Sequence, residues 1–171
     1  MGNTQNIKIG ACKVLFKGVE LGHTKGGVTL TYTPEFAKIT ADQWGETPVD
    51  YALNGEEWQI TVRLTEAQIA TLKKIFPMGT LAGNSDGRLT MGKNAGARLL
   101  AEAGQLILHP LANDDTDASE DVVFYKAIAF DEVEVEYTNE DQRVYEVPFI
   151  ALVDTTKANG SWLGHVGDST D

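Results

Sequence analysis

Two stretches of the chain alternate strictly between apolar and polar side chains. In Gly26–Thr33, Val28, Leu30 and Tyr32 alternate with Thr29, Thr31 and Thr33. In Glu57–Leu64, Trp58, Ile60, Val62 and Leu64 alternate with Gln59, Thr61 and Arg63. A period of two places apolar groups on one face of a strand and polar groups on the other. Both stretches therefore read as strands with one face for a core and one for water. Residues 40–56 between them lose this periodicity without becoming low-complexity, and they carry Trp44, Pro48, Tyr51 and Leu53. Compact domains seldom keep so long a connection without a use for it. The expectation is a two-strand platform bearing a long arm that touches something else, with Asn54-Gly55 as a tight turn inside it.

Other elements follow from the same reasoning. Cys12–Phe16 and Val19–Leu21 read as short strands about a Lys17-Gly18 turn. Pro34 marks a bulge or a local end of the ladder, and Phe36–Thr40 can resume the strand. After Leu64 the period lengthens to about 3.6. Thr65 and Gln68 fit a capping box, and Ile69, Leu72 and Phe76 form an apolar stripe ended by Pro77. Lys73 and Lys74 sit near the carboxyl end, where the helix dipole favours cations. The glycine-rich segment 78–97 reads as a loop with one strand at Arg88–Met91. Residues 97–102 fit a helical turn or a strand. Gly104–His109 and Arg143–Val153 read as strands, and Val122–Phe130, apolar on both faces, as a central one. Glu132, Glu134 and Glu136 alternate with Val133, Val135 and Tyr137 as a further strand, its carboxylates about 7 Å apart. Residues 1–9 and 154–171 read as tails, the second mobile or docked on a neighbour through Trp162. The sum is a single, mainly β domain: a β-sandwich or barrel of two packed sheets with one flanking α-helix.

Composition adds one unusual term. The 171 residues carry a formal charge of −11, with 42% apolar and 23% charged residues. Such a balance disfavours gripping nucleic acid through its phosphates, which needs a basic stripe. It allows a surface past which DNA slides without sticking. The one cysteine, Cys12, excludes an internal disulfide, and Met1–Asn6 does not open as a signal peptide. No apolar run approaches the ~20 residues of a membrane helix. A reducing cytoplasm is the expected site of synthesis, with no membrane insertion.

Motifs for catalysis are missing. His23, His109 and His165 lack partners at ligand spacing and read as loop or surface residues, and no G-x-S-x-G or phosphate-binding loop occurs. The acidic loop Asn113–Asp121 departs from a calcium loop, with Ala118 at its sixth position and Phe124 at its twelfth. The sequence therefore names no catalytic residue, no cofactor and no metal site, and reads as a non-enzyme.

Three stretches resemble bacteriophage major tail tube proteins of the long, non-contractile type: Gly22–Val28, Ala41–Asp50 and Trp58–Glu66, with weaker likeness at Leu106–Leu111 and the C-terminal strand pair. The pattern spans about Gly10–Thr155. At fold level it is shared with contractile tail tubes and the ring protein of type VI secretion. The resemblance implies six copies per ring, inner sheets joined into a continuous barrel, and rings stacked into a hollow tube in the virion tail, assembled in the bacterial host cytoplasm. It implies an inter-ring arm carrying Asp42, Gln43, Trp44, Glu46, Thr47, Asp50 and Tyr51. A subunit-contact helix would present Ile69, Leu72, Lys73 and Phe76. Candidate lumen-facing residues are Thr29, Thr31, Thr33, Gln59, Thr61 and Arg63, or Glu132, Glu134 and Glu136. The partners implied are further copies of the chain, a tape-measure protein, tail terminator and tail tip proteins, and DNA in transit. A single-ring tail terminator or a type VI-like ring protein is the nearer alternative, and a carbohydrate-binding β-sandwich the farther one.

Overall fold

A computed structural model describes residues 10–66, 68–83, 87–135, 137 and 139–168. The strands are β1 (Cys12–Phe16), β2 (Val19–Glu20), β3 (Thr24–Thr40), β4 (Pro48–Leu64), β5 (Thr80–Ala82), β6 (Arg88–Thr90), β7 (Gly104–Pro110), β8 (Val122–Ala129), β9 (Glu134–Val135), β10 (Tyr145–Ala151) and β11 (Gly164–Val166). One α-helix, α1 (Ile69–Ile75), follows β4. Nine strands form one antiparallel sheet in the order β2-β1-β7-β8-β10-β4-β3, with β11 paired to β8 and β9 to β10. β5 and β6 form a separate ribbon.

The expected pair of packed sheets is replaced by one sheet that coils on itself. Strands β1 and β10 are three steps apart in the sheet, roughly 14 Å if it were flat. Yet Phe16 of β1 and Phe149 of β10 stack with centroids 5.3 Å apart. Curvature thus brings separate parts of one sheet's inner face into contact, around Val14, Ile60, Val62, Leu64, Leu106 and Val147. Ile75 of α1 is buried in the same core, and Leu72 and Phe76 pack against it. Apolar alternation reports this core directly: Ile60, Val62 and Leu64 are fully buried, and the intervening Thr61 and Arg63 are not. β8 lies fourth of the seven positions in that strand order, as its two-faced apolar run implies.

Several sequence expectations need correction. β3 and β4 run on to Thr40 and from Pro48, so residues 40–56 are mostly strand. Alternation failed there because no core lies behind the ribbon to demand an apolar face. Asn54-Gly55 is no turn: Glu35 pairs with Gly55 and Phe36 with Leu53, which leaves Asn54 as the extra residue of a bulge. The hairpin turns instead through a 3-10 segment at Asp42–Trp44. The capping box is not formed. Thr65 donates its hydroxyl to the His23 carbonyl at 3.0 Å, because the β3–β4 ladder still holds it, and α1 starts only at Ile69. The Glu132–Tyr137 strand shrinks to Glu134–Val135, and Glu136 lies outside the described residues. Residues 97–102 form a 3-10 turn at Leu99–Glu102, and β5 escaped the glycine-rich reading. Residues 1–9 also lie outside the described residues. Among the described residues no helix is long and apolar enough to cross a membrane.

The C-terminal segment folds back rather than trailing free. β10 pairs with the second half of β8, and β11 pairs with the first half along the same edge. The close fit requires Gly164, where a Cβ would lie 2.1 Å from the Val123 carbonyl oxygen. Asp154 anchors the loop between them. Its carboxylate accepts from Lys126 Nζ at 2.9 Å and from the Thr156 amide and hydroxyl at 3.1 and 2.9 Å. These donors, the Lys126 ammonium foremost, lower its pKa from 3.8 to about 2. Because the folded value is the depressed one, the anchor's contribution is full above the unfolded pKa and is lost as pH falls from about 4 through about 2. Amide exchange in β11 is therefore expected to accelerate over that window, with Asp154→Asn exchanging fast at every pH. Phe149→Ala, by contrast, removes a fully buried ring, and chemical denaturation is expected to show a loss of about 3–5 kcal/mol.

Candidate functional site

Beyond the core, β3 and β4 continue as a two-stranded ribbon, and near its base Leu53 and Gly55 share a groove with Val153, Trp162 and Leu163. Pairs Phe36–Leu53, Ala37–Ala52, Lys38–Tyr51 and Ile39–Asp50 carry it outward. Residues directly opposite share a face. Phe36, Leu53, Lys38 and Tyr51 therefore lie on one side, and Ile39 and Asp50 on the other. Phe36, Tyr51 and Leu53 are 58%, 56% and 59% exposed, and Trp44 at the tip 63%. With Tyr32 at the base, the ribbon leaves roughly 400 Å² of apolar side chain open if each aromatic-sized group is half exposed. That is the size of the largest patch on an ordinary monomer, and such patches are usually functional. A two-stranded ribbon is marginal by itself in water.

Local bonds shape the tip. The Trp44 amide donates to the Ala41 carbonyl at 3.0 Å and the Thr47 amide to the Trp44 carbonyl at 3.2 Å. Lys38 Nζ lies 3.7 Å from the Glu46 carboxylate and donates to its backbone carbonyl. Gly45 has a φ of +59°, which suits glycine. Asp42, Gln43, Glu46, Thr47 and Asp50 are all exposed. At the base, Tyr32 stacks on Trp58 at 4.5 Å and Trp58 on Phe124 at 6.0 Å, which ties the arm to the core.

The two candidate polar faces prove to be one surface. Thr29 lies opposite Thr61, Thr31 opposite Gln59 and Thr33 opposite Glu57. On the other side of β4, Arg63 lies opposite Glu146, and Pro148 opposite Thr61. A shallow groove of about 200 Å³ is lined by Gln59, Thr61, Glu132, Glu134, Glu146 and Pro148, so the Glu132 and Glu134 carboxylates open onto the threonine face. Arg63 is engaged by Glu146, with its Nε 2.9 Å from the carboxylate. The remaining carboxylates of this face, Glu57, Glu132 and Glu134, have no cation partner among the described residues.

The helix positions divide. Leu72 and Phe76 turn inward to this chain's own core, and Ile69 is half-buried. Lys73 donates to the Pro77 carbonyl at 3.2 Å and pairs with Glu102 at 3.3 Å. His109, expected at the surface, is buried on β7 with Nδ1 2.6 Å from Asp121 Oδ1. No sequence signal linked those two residues, whose partnership depends on the β7–β8 pairing. Lys13 pairs with Asp115 and holds the acidic loop against β1, lowering the Asp115 pKa. Burial raises the pKa of the half-buried Cys12 thiol.

No protein-family model matches the chain, and no curated protein matches it. The site is accordingly characterised by its own geometry. Tyr51→Ser with Phe36→Ser removes side chains that are more than half exposed and outside the core cluster. Thermal unfolding of the dilute protein is expected to change by less than about 1 kcal/mol.

Proposed function

We propose that the chain is a structural self-assembly protein, a subunit of a hollow tube of the phage tail type. The observation that carries this reading is the projecting β3–β4 ribbon, on which Phe36, Trp44 and Tyr51 stand more than half exposed. Further support comes from β3 itself. It is a seventeen-residue edge strand at the end of the sheet, and a long free edge invites pairing unless something covers it. A closed ring of copies covers such edges. The arm then reaches a copy in the next ring. Contacts between two different patches of the same molecule close into rings or propagate as filaments.

In this reading the joined threonine and glutamate surface faces the lumen. Hydroxyls and amides supply a hydrated lining, and the carboxylates repel phosphate at short range, within a Debye length of about 8 Å at physiological salt. Pairing of Arg63 with Glu146 removes the one cation that would retard DNA. No chemistry is required of the chain. Electron microscopy across a concentration series tests the reading. Hollow tubes with a regular axial repeat are expected, and removal of residues 45–51 is expected to leave rings or monomers. A protein that stays monomeric at all concentrations, with the arm intact, overturns it.

A further inference from the structure

The sheet changes strands partway along β8. β10 occupies one half of its edge, with Phe149 opposite Ala129 and Ala151 opposite Ala127, and β11 the other, with Gly164 opposite Phe124 and Val166 opposite Val122. β10 also pairs with β4, but only as far as Ile150 and Gln59. There it turns away, and the Leu152 amide donates to the Lys126 carbonyl at 2.7 Å. The remainder of β4, back to Pro48, has β3 alone beside it. Among the described residues β11 pairs with β8 and with no other strand. Residues 53–58 of β4 and residues 164–166 of β11 thus leave backbone edges open where β10 has departed. An open edge carries unpaired N–H and C=O groups and is a template for a further strand.

A cleft lies between these edges. Its two chambers, of about 180 and 590 Å³, share Glu56, Trp162 and Leu163. Trp58, Phe124 and β11 line the smaller one. Glu56 is the one carboxylate among the lining residues of either chamber. The Trp58 indole N–H donates to it at 3.4 Å, which holds the carboxylate beside the ring. Residues 53–58 extend over roughly 20 Å at about 3.3 Å each, the length of an ordinary strand. Glu56 and Trp58 stand two positions apart and share one face of β4. In a strand laid along this edge, alternate side chains meet that face. A basic residue then lies beside Glu56, and an apolar one, two positions away, beside Trp58.

We infer that β4 and β11 form a strand-addition site for an extended segment of a partner protein, one with a basic residue and an apolar residue two positions apart. In such sites main-chain hydrogen bonds supply the affinity and alternate side chains the choice of sequence. The site is separate from the outer edge of β3 and from the arm tip, and it does not depend on the tube reading.

The capped heptapeptide Thr-Val-Thr-Lys-Thr-Val-Thr tests it on the full chain, because valine stands two positions from lysine in either strand direction. Saturable change in tryptophan fluorescence is expected, with exchange of the cleft-facing amides of residues 56–58 and 164–166 slowed at least tenfold. The same peptide N-methylated at alternate residues keeps its side chains and loses half its donors, and it is expected to bind at least tenfold more weakly. Glu56→Lys is expected to reverse the charge preference, so that the peptide with glutamate in place of lysine binds more tightly. Absence of binding at millimolar peptide, equal binding of the N-methylated form, or an unreversed preference in Glu56→Lys overturns the site. So does saturable binding of a maltooligosaccharide without binding of the peptide, which makes the cleft a sugar site. Protection of the same amides by raised protein concentration alone makes a second copy the occupant and likewise overturns it.

Discussion

The pairing of β3 with β4 outruns the core that supports it. For Val28–Val62, Leu30–Ile60 and Tyr32–Trp58 the ladder has a packed interior behind it. From Phe36–Leu53 outward Phe36, Trp44 and Tyr51 stand more than half exposed, with Leu53 sharing a groove with Trp162. Backbone ordering costs of order 1–2 kcal/mol per residue, and here it is offset by ladder bonds and few buried contacts. Everything proposed for the molecule follows from that imbalance. The ribbon is tied at its base by the Tyr32–Trp58–Phe124 stack. Covering its apolar face is the change that would most stabilise it.

Electrostatics sorts the same molecule into regions. The sheet's polar face is predominantly acidic, the arm carries Asp42, Glu46 and Asp50 against Lys38, and beside α1 Glu102 pairs with both Lys73 and Lys93. Cations elsewhere are largely matched at short range, as in Lys126–Asp154, Lys25–Asp141 and Arg63–Glu146. Where local pairing is complete, charge stabilises one chain.

The sequence displayed those parts of the fold in which burial enforces a pattern. Alternation from Trp58 to Leu64 reported a one-sided strand, and the apolar run in β8 reported a two-sided one. Distal β3 and β4 left no such trace, since a ribbon exposed on both faces imposes no period. β11, three residues long, is defined by its fit against β8 at Gly164 and not by its own composition. Thr65 mimicked a cap because a hydroxyl can serve a helix amide or a neighbouring strand's carbonyl equally well. The arm's residues were legible as a contact segment from Trp44 and Tyr51. The groove lined by Met78, Met91 and Phe130 was not, because these residues come together only in three dimensions.

Hydrogen exchange of the arm amides as a function of protein concentration tests the central claim most directly. In dilute solution the amides of residues 36–39 and 49–53 should exchange rapidly while those of β8 stay protected, and on concentration the arm amides should gain protection of at least tenfold with β8 unchanged. Arm amides already protected in the dilute monomer, or still unprotected at high concentration, would contradict the claim that this ribbon is completed by another copy of the chain.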